Sequence, residues 1–383
     1  MTRFVLPDDH GSVGDTGPHH AVPRIALVMG GGALKGLAHV GALRAVREAG
    51  IQPHVYAGSS IGALIAAAAA SGRSVDELTE RALRIRRRDL FRINHMGMLM
   101  ERMRSRSIYL EAPLRTLCHE LVDDGTFETF GQRLLVSAVD LERGAPVVFG
   151  RPGFRHVSVR DAVYASCALP GFFPPGAVGD RVCIDGGTMD NLPVSIAGLE
   201  VDAIIAVDVG IADVPHATGV ANEGFASIFM RAATRMMHAM QQATLDNWSG
   251  PPMLLVRPKV SHIGWFSFSH ALQLLEVGYE TTRQALRHLL DALAAPGGIF
   301  PRLEMEVAVN RDTCTGCGLC AARYPALMAM DERPRAYPLE PVHDFSPADA
   351  AFARCCPVEG IAVNAVVDRD GVAGELSQQS PFI

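Results

Sequence analysis

Three short runs of this sequence carry side chains able to act on a substrate. Gly58-Ser59-Ser60-Ile61-Gly62 fits the Gly-x-Ser-x-Gly elbow, where a strand turns abruptly into a helix and flanking glycines leave room for a strained central residue. Ser60 is the candidate nucleophile, presented at a sheet edge with a helix N-terminus behind it. A serine hydroxyl attacks well only when a base takes its proton. Asp185, in Ile184-Asp185-Gly186-Gly187, follows a short apolar run that would deliver its carboxylate at a strand end, although a turn aspartate before two glycines reads the same way. Ahead of both lies Gly30-Gly31-Gly32-Ala33-Leu34-Lys35-Gly36, whose backbone N–H groups can converge on an anion. A P-loop would need lysine where Leu37 stands, and the dinucleotide pattern fails at Lys35, which leaves an oxyanion hole or tight-turn packing.

A second chemistry sits at the other end of the chain. Cys118, Cys167 and Cys183 are scattered, whereas Cys314, Cys317, Cys320, Cys355 and Cys356 crowd together. In a reducing compartment such crowding favours metal ligation over disulfides. The spacing C-x2-C-x2-C over Cys314, Cys317 and Cys320 places three thiolates at corners of one cubane, with Gly316 and Gly318 permitting the wrap. Zinc sites more often arrive as two separated C-x2-C knuckles.

The elements that must position these residues alternate. Arg24–Met29 is a short apolar run closed by glycines and reads as a buried strand; Leu34–Glu48 then has helical periodicity and Gly50 stops it. Val55–Ala57 is a second strand, and an Ala-rich helix begins at Ile61. Ile61–Ala70 has about half the roughly 20 residues a membrane span needs and reads as a buried helix. Further strands are expected at Leu134–Val139, Val147–Phe149, Arg181–Ile184, Ala203–Val209 and Met253–Val256, with helices at Phe225–Asn247 and His270–Leu293. The alternation predicts an α/β fold with a mostly parallel sheet covered by helices. Pro and Gly concentrate in Ala294–Pro301, where the domain boundary is expected. The resulting division is a tail over 1–23, a large domain over 24–293, a linker over 294–302, a small domain over 303–370 and a second tail over 371–383.

From Arg24 to Asp208 the chain resembles the patatin-like phospholipase family. The likeness rests on the glycine loop, the elbow, the Asp-Gly-Gly run and a fourth block, Ala165-Ser166-Cys167-Ala168-Leu169-Pro170-Gly171-Phe172-Phe173-Pro174. It implies a three-layer α/β/α fold and a Ser-Asp dyad needing no histidine. Ser60 would attack an acyl ester carbonyl, Asp185 would take its proton, and N–H groups of Gly31, Gly32 and Ala33 would hold the oxyanion, with Gly58 and Gly62 shaping the elbow. Two departures stand out: Ala33 occupies a position where many members have glycine, which is strained if a positive φ is required, and Lys35 replaces a common arginine, as an oxyanion-loop residue or a merely solvated one. The competing α/β-hydrolase fold would recruit His238, His262 or His270 as a third catalytic residue. Leu303–Val367 resembles a single-cluster bacterial ferredoxin of α+β type. Cys356-Pro357 matches that family's closing motif, with Cys355 the alternative ligand, and Tyr324-Pro325 stands where two-cluster members carry a further cysteine. The resemblance implies one 4Fe-4S cluster and a redox partner protein.

The substrate side is legible in charge. Nine arginines between Arg81 and Arg106 face only Asp89 and Glu101, so this window carries about +7 while the remainder is near −13. Met96, Met98, Leu99, Met100 and Met103 lie in the same window, which reads either as an interfacial lid meeting anionic headgroups or as an ordinary helix with buried methionines. A net charge of −6 gives no general pull on nucleic acid. Met1–Pro23 lacks the cationic start and apolar run of a secretory signal, so a cytoplasmic protein with peripheral membrane contact is expected, acting on lipid or lipid-like acyl esters. An electron carrier whose large domain only binds acylated ligands is the rival reading.

Overall fold

The structure is a computed structural model that describes residues 22–101, 105–210 and 224–366, apart from the side chains of Met98, Glu101, Phe225 and Ala226. Nearly all of both tails, together with Arg102, Met103 and Arg104 of the cationic window, lies outside the described residues. The chain divides after Gly298 into two compact units.

The first unit is built on the strands β1 (Ile25–Met29), β2 (Val55–Ser59), β3 (Arg133–Asp140), β4 (Ala145–Phe149), β5 (Gly176–Val178), β6 (Arg181–Asp185), β7 (Ala203–Val207) and β8 (Met253–Val256). They lie in the order β5-β6-β3-β2-β1-β7-β8, with β4 also pairing β3. The run from β3 to β8 is parallel throughout. β4 and β6 are antiparallel to β3, and β5 to β6. The parallel strands IALVM, AIIAV and MLLV are buried at every position, as strands covered on both faces must be. Helices including Ala38–Glu48, Ile61–Ala70, Val159–Cys167 and Ala271–Ala285 complete a three-layer α/β/α architecture.

Most expected elements are present, with two changes of form. The helix read from Leu34 opens as a 3-10 turn, Ala33–Leu37, before the α-helix Ala38–Glu48, because the glycine loop runs directly into it. The helix read over His270–Leu293 is interrupted by a 3-10 turn at Leu286–His288. Not anticipated were the helices Val75–Arg84, capped by the reciprocal Ser74–Glu77 box, Ala112–Leu121 and Val159–Cys167, nor β5, too short at three residues to show a period. No described helix is long and apolar enough to cross a membrane.

The second unit holds a three-stranded antiparallel sheet, in the order Val342–Phe345, Leu303–Val309, Ile361–Ala365, and a hairpin of Met328–Met330 with Ala336–Pro338. It has its own core of Met305, Val307, Met328, Phe345, Phe352 and Val363, and the short helix Leu319–Arg323 begins within the cysteine run.

Candidate active site and cysteine cluster

β2 ends at Ser59 and the helix starts at Ile61, so Ser60 must make the turn alone, at φ 55° and ψ −131°. Such a conformation costs a non-glycine residue on the order of 1–3 kcal/mol and survives only where the surroundings over-determine it. Here they do. A Cβ on Gly58 would stand 2.5 Å from the backbone of Gly62 and Ala63, and one on Gly62 would stand 2.1 Å from the Met29 carbonyl oxygen. The serine does not lie on an edge strand: β2 is interior, between β1 and β3.

Strand register brings the carboxylate to the hydroxyl. β3 pairs Ser137 with Ser59 on one side and Ala138 with Asp185 on the other, so the ends of β2 and β6 stand level across it. The Ser60 hydroxyl donates to Asp185 Oδ2 at 2.6 Å, and Gly187 N–H donates to Asp185 Oδ1 at 2.8 Å. Burial pushes the Asp185 carboxyl up to about 6, with those two hydrogen bonds opposing the rise. The Ser60 amide is engaged, donating to Ser166 Oγ at 2.9 Å while Ser166 donates to the Ser137 carbonyl at 2.6 Å. Among the described residues no hydrogen bond from a histidine to Ser60 or Asp185 is present. His270 Nδ1 meets Ser267 and Ser269, and His262 Nε2 meets Gln273, so the α/β-hydrolase arrangement finds no support in the described residues.

The glycine loop lies against the nucleophile: a Cβ on Gly31 would be 3.1 Å from Ser60 Cβ. Its amides are unequal. Gly30 N–H goes to Val207 O at 2.9 Å, Gly31 N–H to Asn191 O at 3.0 Å and Leu34 N–H to Trp265 O at 3.1 Å. The Gly31 amide, expected in the oxyanion hole, is thus engaged with the Asn191 carbonyl. Gly32 and Ala33 have no amide partner among the described residues. Ala33 does adopt a positive φ, 49°, so the alanine is strained as its departure from glycine implied. Lys35 is 3 % exposed, which excludes the solvated reading.

Several residues that hold this loop carried no sequence signal. Asn191 donates through Nδ2 to Gly31 O at 3.3 Å and to Gln241 Oε1 at 3.1 Å; Gln241 donates to Asp208 Oδ2 at 2.7 Å, which also accepts from Arg257 Nε at 3.1 Å. Beneath it, neutral His39 donates from Nε2 to Gly30 O at 2.7 Å, its pKa lowered by burial to about 4. Asn191 lies six positions beyond Asp185, and that proximity was the one available hint.

Ser60 and Asp185 open into a pocket walled mainly by apolar groups, among them Leu64, Leu90, Phe91, Leu114, Phe173 and Trp265. This suits an acyl chain beside a polar reaction centre. Phe91, delivered by the cationic window, meets Phe266 and Phe173 at ring distances of 5.2 and 5.8 Å. Beyond it, in the helix His95–Glu101, Met96, Leu99 and Met100 are exposed, so the expectation of buried methionines fails at Met96 and Met100, while the Met98 side chain and Met103 lie outside the described residues.

In the second unit Cys314, Cys317, Cys320 and Cys356 line one small cavity with Val309, Met330, Val358 and Ile361, while Cys355 is absent from its lining. Gly316 and Gly318, at φ 73° and 72°, turn the loop around it. Gly360 N–H donates to Cys356 Sγ at 3.2 Å, and the amides of Ala336 and Gly316 hold the Cys314 thiol below its ordinary pKa. Soft sulfur donors in an apolar cavity with amide N–H groups directed at them fit an iron-sulfur cluster. Among the described residues no group of three or more His, Cys, Asp or Glu side chains is already arranged to hold a metal ion.

Residues 27–197 match the family model of patatin-like phospholipase, and 307–363 that of a 4Fe-4S single cluster domain. The lysophospholipase nte1 of Aspergillus fumigatus is 29 % identical over 301 residues, covering 71 % of this chain and 19 % of that protein. An uncharacterized NTE family protein of Mycobacterium tuberculosis is 33 % identical over 186 residues, covering 48 % of this chain and 49 % of the other. The chain thus spans about a fifth of its fungal relative and half of its mycobacterial one. Among solved structures, VipD from Legionella pneumophila aligns over 69 % of this chain and 67 % of its own at a TM-score of 0.37 and 15 % identity, too distant to bear on the site. By fold and motif, then, the chain joins a patatin-like phospholipase domain to a 4Fe-4S single cluster domain.

Proposed function

We propose that this protein is a serine acyl hydrolase that cleaves acyl esters of lipids, phospholipid or lysophospholipid first, with Ser60 and Asp185 as a catalytic dyad. The observation that carries the reading is the 2.6 Å hydrogen bond from the Ser60 hydroxyl to Asp185 in the floor of an apolar pocket. Asp185 takes the proton as Ser60 Oγ attacks the ester carbonyl, and the amides of Gly32 and Ala33 receive the developing oxyanion. Collapse of the tetrahedral species breaks the ester C–O bond, and Asp185 returns the proton to the departing alcohol. The acyl group is left on Ser60 until water, activated by Asp185, releases it as a carboxylic acid. The name borne by the fungal relative supports lysophospholipid as the first substrate to assay.

Cys314, Cys317, Cys320 and Cys356 hold one 4Fe-4S cluster in this reading, which supplies one-electron chemistry for transfer to a partner protein or for redox sensing. The enzyme acts in the cytoplasm, at a membrane surface. A fluorophosphonate probe tests the dyad directly. Ser60→Ala should abolish labelling, and Asp185→Asn should slow both labelling and ester hydrolysis by ~10³-fold or more. Retention of the wild-type rate in Asp185→Asn, or its loss on replacing His238, His262 or His270, would defeat the proposal.

A further inference from the structure

The segment Arg86–Leu110 contributes Leu90 and Phe91 to the pocket wall, yet most of it faces outward. It is tied to the pocket rim by backbone hydrogen bonds: Ile108 N–H to Gly171 O and Tyr109 N–H to Phe172 O, both at 2.9 Å. The segment is also tied to itself through Asn94 N–H to Ile108 O and Leu110 N–H to Arg92 O. On this anchored platform Met96, Leu99 and Met100 are 66, 75 and 76 % exposed, and Ile93 adds a fourth apolar side chain at 46 %. Burying such side chains elsewhere in the unit would have been favourable, so their common exposure calls for a partner.

Charge identifies that partner. Arg81 and Arg84 are neutralised by Asp89, Glu120 and Glu80. Arg86, Arg87, Arg88, Arg92 and Arg106 are exposed and form no ion pair among the described residues. Exposed apolar side chains in one segment with guanidinium groups that have no ion pair among the described residues match the interface of a bilayer, where the first enter the acyl region and the second meet headgroup phosphates. A nucleic acid would reward the cations and leave the methionines and leucine in water.

We propose that Met96, Leu99 and Met100, with Arg86, Arg87, Arg88 and Arg92, form a docking face for the surface of an anionic lipid bilayer, placing the mouth of the Ser60 pocket against the membrane. The proposal rests on the acyl-hydrolase reading for its purpose but not for its measurement. Binding is followed by flotation of the full chain, as wild type and as Ser60→Ala, with vesicles of phosphatidylcholine alone or containing phosphatidylglycerol. Both proteins should float with anionic vesicles and remain behind with neutral ones. Arg87→Gln with Arg88→Gln should weaken partitioning by about five-fold per arginine. Leu99→Asp with Met100→Asp should weaken it by at least ~10-fold while leaving hydrolysis of a soluble short-chain ester unchanged, which also certifies folding. Equal flotation with both vesicle types, or wild-type binding by the Leu99/Met100 pair, would overturn the docking face. Tighter binding to DNA than to anionic vesicles would overturn it too. If Ser60→Ala floats normally but wild type hydrolyses no ester, the face stands and the hydrolase reading falls.

Discussion

Asp185 is buried where a charge is unwelcome, and that single fact governs two measurements. As the base it must be ionised, so kcat/KM for ester hydrolysis should rise with pH through an apparent pKa near 6, its value in the fold. The same shift has the opposite sign for stability. A carboxyl raised from 3.8 to about 6 on folding contributes most below pH 4, and that contribution is lost as the pH passes 6, a difference of about 3 kcal/mol. Asp185→Asn should therefore melt several degrees higher than wild type at pH 8 while being inactive, with the gain shrinking as the pH is lowered to 5. An unchanged or lower melting temperature at pH 8 would contradict the assignment. At this scale the sequence was highly readable. Elbow, Asp-Gly-Gly and glycine loop are local patterns whose glycines stand where an added Cβ would come as close as 2.1 Å to a neighbouring atom. What it concealed were commitments made across the fold: the Gly31 amide to Asn191, 160 residues away, and the burial of Lys35.

The glycine loop has no regular structure before its 3-10 turn begins at Ala33, and its shape is imposed from outside. Asn191 grips both polar groups of Gly31 and is itself held by Gln241, whose helix, Phe225–Asp246, also sends Met237 into the pocket. Gln241→Leu removes the link between Asn191 and the buried Asp208–Arg257 pair and leaves polar groups unsatisfied, at a cost of about 1–3 kcal/mol in stability. Because Gly32 and Ala33 would then be less firmly placed, kcat should fall roughly 10-fold with little change in KM on a soluble ester. An equal rise in KM with kcat intact would instead mark Gln241 as part of the binding wall. Strands of continuous apolar residues were legible because burial on both faces leaves no other composition available. The helices Ala112–Leu121 and Val159–Cys167 were not, since their short apolar stripes differ little from those of a loop crossing the core.

On the scale of the whole molecule the two units have separate cores, and the proposed function gives each its own chemistry. Cys356→Ser should reduce the iron content below four per chain and bleach the visible absorbance of anaerobically prepared protein, whereas Cys355→Ser should leave both intact. Fluorophosphonate labelling should survive in each. If Cys355 proves the necessary ligand, the cavity lined by Cys356 has been misread. The cysteine spacing points to a cluster from sequence alone, whereas the two adjacent cysteines are told apart only in the fold, where Cys356 and not Cys355 lines the cavity. The segregation of about +7 within one window from about −13 elsewhere has a consequence in motion rather than at rest. Near the anionic bilayer proposed above, that window would be drawn in ahead of contact, and the attraction would exert a torque on the unit that carries it. That torque fades beyond the screening length of ~8 Å at physiological salt. Added salt should thus slow productive landing far more than it hastens departure.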